Sequence, residues 1–309
     1  MELRRLRKIA TRSLVAWLTG DRRRLLREKR RLVFLLAERE VDALTFRSNG
    51  TTWTVPAADD AVARKVFVDG IHQGREIHSL LAWLSRYGYL GDEKSTIVEV
   101  GANLGTTTVP FAKQTGKHVL AVEPMPENFE FLLRNVSDNG LDERVTCIQA
   151  AVSPASRELT MVSNPSGGMS EVKAEGENQG YGKPPEESRL VRVPSLSLDE
   201  ALRSHGIAPQ DVAFVWSDTQ GYERQVIESG ASLWFARVPL YLELWPDGLR
   251  VHGGVESFVE TVQMYFGALI LRNELMAQGT SAPRRPMSEL CSVIDALEHR
   301  HTDALLIAR

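Results

Sequence analysis

The chain is poor in the features that mark several functional classes. Two cysteines among 309 residues, Cys147 and Cys291, form no CxxC pair and no disulfide framework, which fits a reducing compartment. Cys147 lies inside an apolar strand pattern and reads as an inert core thiol. No apolar run approaches the roughly 20 residues that cross a bilayer. Ser13-Leu14-Val15-Ala16-Trp17-Leu18 is too short, and too soon followed by Asp21 and arginines, for a secretory signal. A cytoplasmic location is the expectation. The seven histidines show no HExxH or comparable metal spacing, and no internal repeat is evident. A net charge of −3 gives no global pull toward nucleic acid or membrane. With 43% hydrophobic residues, the chain can bury one large α/β core plus an appendage.

What is present is unevenly spread. Arg4, Arg5, Arg7, Lys8, Arg12, Arg22, Arg23, Arg24, Arg27, Lys29, Arg30 and Arg31 crowd the start and leave the remainder acidic. Residues 1–45 read as helical, with Leu25, Leu26, Leu32, Val33, Leu35 and Leu36 among the arginines. Asn49-Gly50, between Leu44-Thr45-Phe46 and Thr52-Trp53-Thr54-Val55, signals a β-hairpin. These elements form an expected extension, 1–65, ahead of a catalytic domain, 66–309. Helical periodicity resumes near Ile77–Leu84. From residue 96 strands and helices alternate, which implies a doubly wound, mostly parallel sheet. Strands are expected near 96–100, 118–123, 145–151, 212–217 and 238–243, and Thr302–Ala308 reads as a final strand. Helices are expected near 105–115, 126–138, 196–205, 222–230 and 255–264. Residues 163–189 are rich in Gly, Pro, Ser and Glu, a composition that builds no core and reads as a surface loop or a lid.

The most informative stretch is Thr96-Ile97-Val98-Glu99-Val100-Gly101-Ala102-Asn103-Leu104-Gly105. An apolar run ends on an acid, turns through Gly101 and Asn103, and enters a helix at Gly105. A second run, His118-Val119-Leu120-Ala121-Val122-Glu123, ends on another acid at the interval of a nucleotide-binding βαβ unit. Glu123 at a strand tip would accept hydrogen bonds from both ribose hydroxyls. A dinucleotide needs its pyrophosphate on the helix N-terminus, where Glu99 would repel it. S-adenosylmethionine suits the charges better, its ammonium facing an acid and its carboxylate the helix N-terminus.

On these residues the chain resembles the FkbM-type S-adenosylmethionine-dependent methyltransferases. The carriers are Val98–Gly105, Ala121–Asn128, Ser197-Leu198-Asp199-Glu200-Ala201-Leu202, Trp216-Ser217-Asp218-Thr219-Gln220-Gly221-Tyr222-Glu223 and Leu242-Glu243-Leu244. Many members have Lys two residues before the Asp, where Trp216 stands here, so no role of that Lys transfers. The resemblance implies a class I, Rossmann-like methyltransferase fold and O-methylation of a sugar, glycan or secondary-metabolite hydroxyl. Expected cofactor contacts are Glu99, Gly101, Ala102, Asn103, Gly105, Glu123, Pro124, Asn128, Ala151 and Asp218.

Ligands of open α/β sheets sit beyond the carboxyl ends of the strands, where Asp218 and Glu243 are expected to converge. They could take a proton from a hydroxyl nucleophile or ligate Mg²⁺. His252, shortly after Glu243, is a further candidate base, and His72 and His78 with Glu76 could face the cofactor mouth. Glu223, at a helix start, reads as structural. Two other functions stay open: a nucleic-acid methyltransferase using the arginines on phosphates, and a non-catalytic binding module. The first lacks an Asn/Asp-Pro-Pro-Tyr/Phe signature, and the second is opposed by the intact glycine turn and its acids. For residues 1–45 the readings are a helix packed by Leu32, Val33, Leu35 and Leu36, a homo-oligomer contact, a peripheral membrane contact, or nucleic acid.

Overall fold

The computed structural model describes every residue except 1, 39, 60, 71, 94, 164–169 and 174–188. The chain forms two compact units, residues 1–72 and residues 73–309 apart from 165–168. The expected boundary at 65 falls inside a helix, which stays with the first unit.

In the first unit α1 (Glu2–Leu18) and α2 (Arg22–Ala37) are joined by a tight turn. Asp21 caps α2, its carboxylate accepting the Arg24 N–H at 2.9 Å, which meets one of the unpaired donors at a helix start. The hairpin β1 (Ala43–Ser48) and β2 (Thr51–Pro56) turns at Asn49 and Gly50, both at positive φ, as a two-residue connection requires. Helix α3 (Val62–Asp69) completes the unit, with Phe67 against Phe34 and Phe46.

The second unit opens with α4 (Gly74–Arg86) and then alternates. It runs through β3 (Thr96–Val100), α5 (Thr108–Thr115), β4 (His118–Val122), α6 (Pro126–Ser137) and β5 (Val145–Ile148). Next come β6 (Ala151–Val152), β7 (Glu158–Ser163), β8 (Ser170–Val172), β9 (Arg189–Leu196) and α7 (Leu198–Ser204). After these follow β10 (Val212–Ser217), α8 (Glu223–Ser229), α9 (Ala231–Phe235), β11 (Leu240–Leu244), α10 (Pro246–Val251) and α11 (Val255–Tyr265). The chain closes with β12 (Phe266–Leu271), α12 (Arg272–Gln278), β13 (Arg285–Pro286), α13 (Leu290–Leu297) and β14 (Thr302–Ala308).

Eight strands make one sheet in the order β13-β12-β14-β11-β10-β3-β4-β5. The five from β5 to β11 are parallel, and β14 enters antiparallel between β11 and β12. This is the doubly wound, Rossmann-like, mostly parallel sheet expected from the sequence. Strands β3, β10 and β11 are buried throughout, as parallel strands covered on both faces must be. From β3 the chain winds outward through β4 and β5, then returns to β10 on the other side, so the strand order reverses between β3 and β10. Ligands collect at such a switch point.

Two expectations are corrected. The strand expected over 145–151 is divided: β5 ends at Ile148, and Ala151 starts β6 in a separate sheet, β6-β9-β7-β8. Ala151 packs there with Met125, Leu159, Met161 and Val193. The insertion expected at 163–189 lies mostly outside the described residues, but Ser170–Val172 within it pairs with β7 and both flanks are strand.

Candidate active site

The turn after β3 is built around a backbone contact. Gly101 has φ +81°, and a Cβ there would stand 2.1 Å from the carbonyl oxygen of Asp218. Glycine is therefore required by the packing of β3 on β10, where Asp218 N–H also donates to Val100 O at 3.0 Å. The turn then crosses to β4, with Gly101 and Ala102 N–H groups on Val122 O. Asn103 takes the left-handed conformation, φ 51°.

Glu99 is fully buried and faces the start of α5, where the Thr107 and Thr108 hydroxyls donate to its two oxygens. It fastens the helix N-terminus beneath the turn. Glu123, at the tip of β4, accepts from Asn103 N–H at 2.7 Å, Met125 N–H at 3.0 Å and the Asn128 amide at 3.3 Å. Four expected cofactor residues, Asn103, Glu123, Pro124 and Asn128, thus cluster beside Gly101 and Gly105. Burial first, opposed by these donors, pushes Glu99 and Glu123 up to about 7.

Asp218 and Glu243 are brought together as expected. Gln220 Nε2 donates to Asp218 Oδ1 at 2.7 Å and to Glu243 Oε2 at 3.1 Å. Gln220 is held at φ 54° and Gly221 at φ 96°. A Cβ on Gly221 would fall 2.4 Å from Gly248 Cα, so the turn is wedged against α10. Glu223, as expected, is structural: its carboxylate accepts the Thr219 N–H and hydroxyl at 3.0 and 2.9 Å. Burial, followed by the charges of Asp218, Glu223 and Asp303, drives Glu243 well above the usual carboxylate range. Burial, and then Glu76, also raises Asp218. Adjacent buried carboxyls resist double ionisation, so the pair holds a proton that one oxygen can pass or receive.

A second tier, not anticipated in the sequence, supports this pair. Glu76 on α4 accepts from the Tyr241 hydroxyl at 2.6 Å and from Arg272 at 2.7 Å. Arg272 also pairs with Asp303 at 3.3 Å. Tyr241 stacks on Trp216, with ring centroids 4.5 Å apart. His301, just before β14, places Nδ1 3.8 Å from Glu243 Oε1. It also lines a cleft of about 660 Å³ with Leu271, Asn273, Val293, Leu297 and Thr302. Of Glu76, Arg272, Asp303 and His301 the sequence singles out Glu76 alone, and for a different place; Asp303 and His301 lie at the start of the expected final strand. Their meaning depends on β14 inserting beside β11, which pairs Asp303 with Glu243.

The other candidates lie elsewhere. His252 is buried edge-on against Tyr222, with ring centroids 5.2 Å apart, and its Nε2 has no hydrogen-bond partner among the described residues. Burial lowers it to about 4, so it is neutral at physiological pH. No hydrogen bond among the described residues links its ring to Asp218 or Glu243. His78 is exposed on α4, while its neighbour Glu76 points to Tyr241 and Arg272 instead of a cofactor mouth. His72 belongs to the first unit. The expected Mg²⁺ site is not supported: among the described residues no three His, Cys, Asp or Glu side chains converge to hold a metal.

The donor set fits S-adenosylmethionine. Glu123 stands at the tip of β4 and Asp218 at the end of β10, on either side of the glycine turn. Residues 99–260 match a family model described as Methyltransferase FkbM domain. No curated protein matches the chain. Solved structures with a similar course include the METTL16 methyltransferase domain, at 11% identity and a TM-score of 0.44, over 93% of this chain and 81% of that one. Another is Pyrococcus horikoshii TYW2 in complex with MeSAdo, at 12% identity and 0.39, over 87% and 71%. A third is precorrin-6y C5,15-methyltransferase of Geobacter metallireducens, at 12% and 0.38, over 76% and 87%. At these scores the likenesses say nothing of what this chain modifies.

Proposed function

The chain belongs to the FkbM methyltransferase family, and from that premise we propose that it is an S-adenosylmethionine-dependent O-methyltransferase acting on a sugar, glycan or secondary-metabolite hydroxyl. The observation that carries this reading is the Asp218–Glu243 pair, bridged by Gln220 at the carboxyl ends of β10 and β11. A hydroxyl nucleophile has a high pKa and needs a base in the transition state, whereas an exposed amine needs less help.

S-adenosylmethionine, when bound, supplies a methyl group already activated by the sulfonium. The protein must then align the acceptor oxygen and remove its proton. Asp218 adjoins the glycine turn and is the base. Gln220 fixes its Oδ1, and Glu243, held protonated by burial and by the neighbouring charges, can donate to the acceptor oxygen. As the O–CH3 bond forms and the sulfonium C–S bond breaks, the acceptor's proton passes to Asp218. With Glu243 already protonated, the pair then holds one proton in excess, which it sheds to solvent through the exposed His301 beside Glu243. The cleft beside His301 supports the choice of acceptor: Leu271, Val293 and Leu297 offer an apolar wall, and Asn273, Thr302, Arg285, Glu289 and Arg300 offer polar and charged groups. A hydroxylated ring with one apolar face fits that lining.

The test is transfer of a radiolabelled methyl to sugar, lipid-linked glycan, polyketide and RNA acceptors, each with and without Mg²⁺. Label in an alkali-stable ether on a hydroxylated small molecule or glycan, lost in Asp218→Asn, is the expected result. Nuclease-sensitive label on RNA alone would replace this reading with the nucleic-acid one.

A further inference from the structure

The α1–α2 hairpin leaves its apolar side chains outside. Ala16 and Phe34 are buried, so the helices are packed. Yet Leu14 is 56%, Trp17 67%, Leu18 68% and Leu26 53% exposed. Leu14, Trp17 and Leu18 are spaced i, i+3 and i+4, so they share one face at the end of α1. Leu32, Val33 and Leu36, expected to pack inward, are exposed on α2. Of the six tryptophans, Trp53, Trp83, Trp216 and Trp234 are buried and Trp245 is partly so, which makes Trp17 the exception.

Charge identifies what covers this face. Between residues 2 and 37 stand twelve arginines and lysines against three acids. One of the three, Asp21, is engaged as the α2 cap, and another, Glu28, pairs with Arg31. The exposed Trp17 and Leu18 are followed directly, across Thr19-Gly20-Asp21, by Arg22, Arg23 and Arg24. A second copy of the hairpin would bring a like charge of the same size against it. A nucleic acid would be attracted by the arginines but would leave the leucines and Trp17 in water. An anionic bilayer satisfies both, since apolar side chains enter the acyl boundary while arginines meet headgroup phosphates and tryptophan favours that interface. No helix of the described residues is long and apolar enough to cross a membrane, so the contact is peripheral.

We propose that the α1–α2 hairpin docks the protein on an anionic lipid surface, with Leu14, Trp17 and Leu18 entering the interface and Arg22, Arg23 and Arg24 at the phosphates.

The test floats the full chain with phosphatidylcholine vesicles, with and without phosphatidylglycerol, at low and moderate salt. Binding is expected only to the anionic vesicles and should weaken with salt. Trp17→Ser with Leu18→Ser should lower the partition roughly 10²-fold. Replacing Arg22, Arg23 and Arg24 by Gln should lower it on the order of 10²-fold at low salt. Should a variant melt early, brominated lipid added to the unsubstituted chain reports directly, by quenching the exposed Trp17. Absence of flotation at low salt, equal binding of the Trp17/Leu18 variant, or no quenching overturns the proposal. So does a lipid-free dimer in light scattering that the same variant dissolves, since a second copy then covers the face. Tighter binding to an oligonucleotide, unaffected by that variant, overturns it in favour of nucleic acid.

Discussion

Asp218 and Glu243 share one donor: the Gln220 amide lies 2.7 Å from the first and 3.1 Å from the second. Burial and mutual repulsion leave the pair short of one ionisation at neutral pH. Asp218→Asn should therefore lower methyl transfer by about 10²-fold or more, the scale of lost general-base help. Affinity for S-adenosylhomocysteine should stay within a few-fold. Glu243→Gln should act in the same direction but less severely. A variant that fails to fold would mark that residue as structural. Because Asp218 is raised, kcat/KM should climb with pH as its proton leaves, and Gln220→Leu should move that rise to higher pH by removing the shared donor. An unchanged pH profile in Gln220→Leu would mean the amide does not tune the pair.

Binding of the cofactor is a separate question. A ligand that binds only the folded state raises the melting temperature by mass action. S-adenosylhomocysteine should produce a clear shift and NAD none, and Glu123→Ala should abolish it. Equal shifts with both ligands would sink the reading that the site takes S-adenosylmethionine and not NAD.

The same acids give stability a definite pH slope. Glu99 and Glu123 rise from 4.5 to about 7 on folding. Between those values the folded chain binds more protons than the unfolded one, so stability falls as pH rises through the window. Asp303 and Glu243, raised further, extend the fall above it. His252, lowered to about 4, opposes it at the acid end. Glu200 and Glu274 are shifted downward and act with the opposite sign at lower pH. Melting of the ligand-free protein from pH 5 to pH 8 should show a decline of a few degrees, flattened in Glu123→Gln. A melting temperature that rises across this interval contradicts the burial of these carboxyls.

The sequence made the β3 turn legible because its requirements are local. A buried parallel strand, a left-handed Gly and Asn, and a second acid at a fixed interval each leave a mark within a few residues. Strands 96–100 and 212–217 and the final strand therefore lie where periodicity put them. The division at Ile148–Ala151 was hidden because one apolar run serves two sheets, and only the pairing of Ala151 with Ser195 separates them. The support by Glu76, Arg272 and Asp303 was hidden for another reason. It joins α4, α12 and β14, and no short-range pattern records such contacts. Residues near in sequence to Glu243 drew attention to His252, while the antiparallel return of β14 put His301 there instead.

Gly101→Ala tests whether the turn is set by chain packing. Its Cβ would meet Asp218 O at 2.1 Å, at a φ that L residues disfavour. Backbone cannot yield as a flexible side chain would. Urea unfolding should show a loss of roughly 2–4 kcal/mol, with weakened S-adenosylhomocysteine binding because the glycine turn itself is displaced. A loss within about 0.5 kcal/mol, the range of a neutral surface change, would mean that the turn relaxes freely.

The two histidines separate catalysis from packing. His301 faces Glu243 and is exposed, so His301→Ala should fold normally and melt within a degree or two of the parent, since exposed pairs contribute little stability. Its kcat/KM should nonetheless fall about tenfold, less than the roughly 10²-fold or more of a group that takes the acceptor's proton directly, because His301 acts through Glu243. His252 fills space beside Tyr222, so His252→Ala should cost about 1–3 kcal/mol of stability and leave turnover per folded molecule unchanged. His252→Phe, which keeps the ring and drops the nitrogens, should recover most of that stability. The reverse pattern, turnover lost with His252 and kept without His301, would move the proton path to α10 and away from β14.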